Sequence, residues 1–175
     1  MNRAQLEHLV RAASIIAEDE EIVVVGSQAI LGQFPDAPAE LRVSIEADVY
    51  PRNKPELADV VDGSIGEGSP FHTTYGYYAQ GVGPETAVLP PGWESRLVPI
   101  RSPAMSGATG LCLEVHDLVL SKLVAGREKD LDFARVAARH GLVTESVLRE
   151  RLSGMELDER LRAAVSTRIL RAFAT

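Results

Sequence analysis

Two acids one residue apart, Glu46-Ala47-Asp48, stand in a stretch, Val43 to Tyr50, whose side chains alternate in character. An extended strand repeats every two residues, so Glu46 and Asp48 project from one face while Ile45, Ala47 and Val49 project from the other. Two carboxylates on one face suit Mg²⁺, a hard cation that takes oxygen ligands. Upstream, Gly26-Ser27 closes the run Glu21 to Val25. A glycine lets backbone approach a phosphate closely, and a hydroxyl with free N–H groups at a helix start suits an anion. Downstream, Lys122 interrupts the apolar helical set Leu118, Leu120, Leu123 and Val124, and is followed by Arg127, Lys129, Asp130 and Asp132. A lysine in that setting reaches a triphosphate as a flexible point charge. Nucleotidyl transfer uses such parts together, because a divalent ion bridges the phosphates while charge develops on the leaving group. Each part also has a plain structural meaning. A glycine-serine turn is ordinary punctuation, an acidic alternating strand has one wet face, and the Arg127 to Asp132 charges make surface ion pairs worth about 0–1 kcal/mol each.

The elements that must position these residues follow from periodicity. The apolar residues Leu6, Leu9, Val10, Ala13 and Ile16-Ala17 are spaced for an amphipathic first helix rather than a secretion signal. Glu21 to Val25 reads as a buried strand, with Ser27 placed to cap a short helix over Gln28 to Phe34. After a Pro- and Ala-rich loop, Val43 to Tyr50 is a second strand that Pro51 ends, and Lys54 to Val61 reads as a helix. The glycine-rich DGSIGEGSPFH then leads into Thr73 to Val82, whose Tyr75, Tyr77 and Tyr78 predict a strand. Arg96 to Ile100 and Thr109 to Val115 supply two more strands. Helices are predicted over His116 to Ala125, with Asp117 as its N-cap or first-turn acid, and over Asp130 to Arg139, Glu145 to Leu152 and Asp158 to Ala172. The expected fold is therefore α+β, a small mixed sheet flanked by helices. Residues 1–175 form one domain, with an α/β core over 1–115 and a helical portion over 116–175 packed on it.

Composition sets the outer bounds. The 175 residues, 45% hydrophobic and 25% charged, suit one globular core. Cys112 is the only cysteine, in the apolar run Leu111-Cys112-Leu113, so disulfides do not hold the fold and a reducing, cytoplasmic setting is expected. No run approaches the roughly 20 apolar residues of a membrane helix. The formal charge of −7, from 18 basic and 25 acidic residues, lacks the basic excess of a protein that grips nucleic acid chiefly through phosphates. His8, His72, His116 and His140 lack metal-ligand spacing.

Taken together, the glycine-serine turn, the acid-x-acid strand and the stretch SKLVAGREKDLDF resemble the nucleotidyltransferase-like proteins related to the AbiEii abortive-infection toxins, over roughly residues 20 to 140. GEGSPFHTTYGYYAQGV and LPPGW are similar to an uncharacterised bacterial branch of that group. The resemblance implies a nucleotidyltransferase-like fold in which Gly26 and Ser27 hold the triphosphate and Glu46 and Asp48 ligate Mg²⁺. Lys122 would contact phosphates, Asp130 falls at a catalytic aspartate, and Arg127 and Lys129 would stabilise phosphate or seat an acceptor. It also implies a nucleoside triphosphate donor, an RNA acceptor such as a tRNA end, and, for some members, a toxin role neutralised by a cognate antitoxin. Two departures stand out. The family usually carries two aspartates where this chain has Glu46 and Asp48, at a shorter interval from the glycine-serine turn. Its third carboxylate often lies on a later central strand, whereas Thr73 to Val82 has none, which leaves Asp62, Glu67 and Glu114 as alternatives, with His72 beside the glycine-rich loop a further candidate or a plain surface histidine. Two functions follow: a Mg²⁺-dependent transferase, or a nucleotide- or partner-binding module whose metal ligation has degraded. Convergence of Glu46, Asp48, Asp130 and Lys122 on one pocket favours the first, and dispersal the second. An RNA acceptor further predicts a basic rim from Arg42, Arg52, Arg96, Arg101, Arg127 and Lys129, and its absence favours a protein or small-molecule acceptor. Nothing in the sequence specifies an oligomeric state.

Overall fold

The computed structural model describes residues 1–174. Helix α1 (Arg3–Ala17) starts at Asn2, whose side chain accepts from the Gln5 N–H while the Gln5 side chain accepts from the Asn2 N–H, a reciprocal capping box. It buries Leu6, Leu9, Val10, Ala13 and Ala17, the stripe its spacing predicts. Strand β1 (Glu21–Val24) is followed by a 3₁₀ turn over Ser27–Ala29 and the single turn α2 (Ile30–Gln33). Next come β2 (Glu46–Pro51), α3 (Ala58–Ile65), α4 (Pro70–Tyr75) and β3 (Tyr78–Gly81), then β4 (Val98–Ile100) and β5 (Thr109–Cys112). Four helices complete the chain: α5 (Val115–Ala125), α6 (Glu128–Arg139), α7 (Glu145–Ser153) and α8 (Glu159–Phe173).

The five strands form one mixed sheet in the order β3-β2-β1-β5-β4, with β1–β2 and β4–β5 antiparallel and β1–β5 and β2–β3 parallel. Ile22, Val23 and Val24 of central β1 are buried, as expected of a strand covered on both faces. Helices α5 to α8 pack on one another and make the C-terminal helical part. The fold is thus the mixed α+β sheet flanked by helices that the sequence predicts. No helix among the described residues is long and apolar enough to cross a membrane.

Several local expectations are corrected. Thr73 to Val82 is not one strand, because Ser69 caps a short helix through the His72 N–H and Gly76 ends it at φ 75°, which leaves only Tyr78–Gly81 extended. Ser27 caps nothing through its side chain; Gly26 is the N-cap of the 3₁₀ turn that follows. Asp117 is not the cap of α5 either. Glu114 takes that place by accepting from the His116 N–H, and Asp117 is the first-turn acid that the alternative reading allowed, fully buried.

Candidate active site

The end of β1 and the middle of β2 are adjacent, with the Val25 N–H donating to the Asp48 carbonyl at 3.0 Å. Gly26 therefore sits over the Asp48 side chain. Its φ of −78° is open to any residue, so space rather than backbone conformation excludes a side chain. A Cβ at position 26 would lie 1.9 Å from Asp48 Oδ2, well inside any contact distance. Along β2, Ala47 and Val49 are buried while Glu46 and Asp48 are part exposed on the other face, which realises the two-residue repeat. Ile45, just before the strand, departs from it and is 49% exposed.

The two carboxylates differ in their surroundings. Glu46 Oε2 accepts from the Tyr78 hydroxyl at 2.9 Å. Tyr78 lies on β3 in register with Glu46, and Gln80 in register with Asp48. Burial pushes the Asp48 carboxyl above its ordinary range, and the Glu46 charge adds to that, against the opposing pull of Lys122, Lys129 and Arg127. Burial, reinforced by its bond to Glu46, likewise raises the Tyr78 phenol to about 12. A close pair of acids, one of them hard to ionise, is a donor set whose mutual repulsion a divalent cation relieves, so the residues present fit Mg²⁺.

Opposite the acids stands a largely buried cation. The Lys122 ammonium, on α5, donates to Ser27 Oγ at 2.9 Å and to Asp130 Oδ1 at 3.2 Å, and lies 4.7 Å from the centre of the Phe133 ring. Ser27 thus serves as a tie between the turn and α5. Asp130 is fully buried in the first turn of α6 and also accepts from Arg127 Nε at 2.6 Å. Burial works to raise the Asp130 carboxyl, but the bonds from Arg127 and Lys122 prevail and hold it low. Burial lowers the Lys122 ammonium despite the pull of Asp130. Gly126, at φ 67°, ends α5 and turns the chain so that Arg127 meets Asp130.

Two recesses meet at Lys122. One, of about 270 Å³, is lined by Gly26, Asp48, Thr86, Ser121, Lys122 and Arg127, with Ala87 and Val88 from the loop after β3. The other, of about 340 Å³, is lined by Ser27, Glu46, Lys122 and Lys129 over the apolar Leu41, Val43 and Phe133. Seven of the eight singled-out residues, Gly26, Ser27, Glu46, Asp48, Lys122, Arg127 and Lys129, line this double cleft. Asp130 lies behind it, holding the two cations from below. The alternatives for a third carboxylate are placed elsewhere or left apart: Asp62 accepts from the Gly81 N–H at 3.0 Å, and Glu114 is taken by His116 and Arg151. Glu67 comes near enough for its charge to bear on Tyr78. Among the described residues no three His, Cys, Asp or Glu gather into a metal-ligand set.

Of the basic residues that would build an RNA rim, Arg127 and Lys129 line the cleft, whereas Arg52 pairs with Glu21, Arg96 with Asp117, and Arg101 donates to Thr109 Oγ1. Tyr78, Thr86 and Ser121 are not among the site residues the sequence predicts. Only Tyr78 carried a signal, since two-residue spacing pairs Tyr78 and Gln80 with Glu46 and Asp48 once β2 and β3 are known to be neighbours.

A family model described as a nucleotidyltransferase of unknown function (DUF6036) matches residues 4–167, which takes in every residue of the cleft. No curated protein and no solved structure matches the chain.

Proposed function

Because the chain belongs to this family of nucleotidyltransferases of unknown function (DUF6036), we propose that it moves a nucleoside monophosphate from a nucleoside triphosphate to a hydroxyl on a protein, using Mg²⁺ held by Glu46 and Asp48. The observation that carries the reading is the fit of Gly26 over Asp48, where any side chain would collide with the carboxylate, opposite a largely buried lysine tied to Ser27 and Asp130. Bound Mg²⁺ would supply charge neutralisation at the phosphates. Lys122 and Arg127 add cationic contacts to the leaving pyrophosphate, and Asp130 fixes both so that little reorganisation is needed when charge develops. In the reaction the acceptor oxygen bonds to the α-phosphorus, the bond to the pyrophosphate oxygen breaks, and the hydroxyl proton passes to solvent.

A protein acceptor is favoured over RNA by the lining of the cleft. Only two of the six candidate rim cations line it, and the exposed apolar side chains of Val43 (78%) and Val88 (46%) stand on its two recesses. On the AbiEii resemblance we add that modification inactivates the acceptor, as a toxin countered by an antitoxin would. The test is transfer of label from α-phosphate-labelled triphosphates and Mg²⁺ in a cell extract. Label removed by protease and resistant to ribonuclease supports the proposal; the reverse pattern returns RNA as acceptor, and labelling equal with Asp48→Ala rejects the site.

A degraded binding module is the second reading, favoured by the lack of a third carboxylate among the described residues. Mg²⁺-dependent binding of a triphosphate without transfer to any acceptor would select it.

A further inference from the structure

Two divalent ions about 3.5–4 Å apart each take protein oxygen ligands besides those of the triphosphate. The cleft is poor in such ligands. It offers Glu46 and Asp48, the charges of Lys122, Lys129 and Arg127 already bear on Asp48, and no third acid or histidine joins the pair among the described residues. The neighbouring strand β3 is where a third carboxylate would enter, because Tyr78 and Gln80 stand beside Glu46 and Asp48 in register. Tyr78 fills the place beside Glu46. Its ring is packed, 8% exposed, with the His72 ring 4.6 Å away, so the hydroxyl that donates to Glu46 Oε2 at 2.9 Å is fixed in position. A phenol supplies one hydrogen bond and no charge.

That bond answers a specific need. Glutamate has one more rotatable bond than aspartate, and its carboxylate wanders unless something holds it. The Glu46 backbone is already pinned, since its N–H donates to Ser44 Oγ at 3.1 Å and its carbonyl accepts from the same hydroxyl at 3.2 Å. Only the side chain remained to be fixed.

Resting on the transfer reading above, we propose that Tyr78 is a positioning residue for the Glu46 carboxylate, and that the cleft takes one divalent cation per chain, arriving with the triphosphate, rather than two. A partner that orients a metal ligand typically changes metal affinity by about 10- to 100-fold when removed.

The test titrates Mn²⁺ into the full chain with a triphosphate analogue that cannot be cleaved between its α and β phosphorus atoms, reading free Mn²⁺ by its paramagnetic resonance. The expected result is one bound ion per wild-type chain. Tyr78→Phe, which keeps the packed ring, weakens that ion about tenfold. In a Glu46→Gln background the same change has no further effect, which a merely structural role would not produce. Two ions per wild-type chain, an unchanged Tyr78→Phe, or a Tyr78→Phe loss that persists in Glu46→Gln would each overturn the inference and leave the transfer reading standing. Analogue binding indifferent to Mn²⁺ would overturn the transfer reading and this inference with it.

Discussion

Helix α5 carries a charged cluster built on a buried aspartate at each end, and only one of them opens on a cleft. At its N-terminal end Asp117 is fully buried and accepts from Arg96 Nε at 2.8 Å, Arg96 Nη2 at 3.1 Å and Arg151 Nη1 at 2.8 Å. Beside it, His116 Nε2 accepts from the Thr144 N–H at 3.0 Å, so the Nδ1–H must be the donor to Glu114 Oε1 at 2.7 Å. Each of these groups has its partner, and the cluster ties α5 to α7 and to the loop before β4. At the other end, Lys122, Arg127 and Asp130 are equally well paired, but they face two carboxylates across a cleft that share no such partner set. The first network is closed within the fold, and the second borders two acids that repel each other on an open cleft.

The sharpest way to break the closed end is Asp117→Ala, which strands two arginines and is expected to cost about 3–5 kcal/mol in urea denaturation. Nucleotide binding by the folded fraction should persist. At the open end Lys122→Met should reverse that balance. Removing a cation that is costly to bury, while Asp130 keeps Arg127, should change stability by only about 1 kcal/mol, and triphosphate affinity by calorimetry should fall at least about tenfold. If both variants lose stability alike, the contrast between the two ends fails.

Acid titration separates the ends by sign. Burial opposes ionisation of Glu114, yet His116 and Arg151 hold it down at about 2, below its unfolded value. Its contribution is therefore present above the unfolded value and lost as pH falls toward 2, and Glu114→Gln should flatten the acid limb of stability against pH. Asp48 is shifted the other way, upward. Its contribution is complete below the unfolded value of about 3.9 and is lost as pH rises through the folded one. Asp48→Asn should therefore be slightly more stable than wild type at neutral pH, with the difference vanishing in acid; a variant less stable at neutral pH would contradict the burial and repulsion assigned to Asp48.

What the sequence disclosed follows the same division. Periodicity placed α1 and the helices from α5 onward within a residue or two, because a long amphipathic stripe signals itself over many turns. It also put Glu46 and Asp48 on one face and singled out Lys122, the one charge in an apolar stripe. Short-range chemistry misled where tertiary partners prevailed. Thr73 to Tyr77 looked like the start of a strand, but Ser69 and Gly76 bracket a helix and extension begins only at Tyr78, and Asp117, open to reading as a cap or a first-turn acid, is the latter and is paired with Arg96 and Arg151, distant in sequence. The role of Tyr78 needed the β2–β3 register, which no local pattern carries.

The account rests on Glu46 and Asp48 being where nucleotide and metal meet. Isothermal titration of wild type and Asp48→Ala with each of the four ribonucleoside triphosphates, with and without Mg²⁺, tests that most directly. The account predicts that at least one triphosphate binds the wild type only with Mg²⁺, and that Asp48→Ala abolishes this binding. Binding that ignores both Mg²⁺ and Asp48, or no binding of any triphosphate, would contradict it.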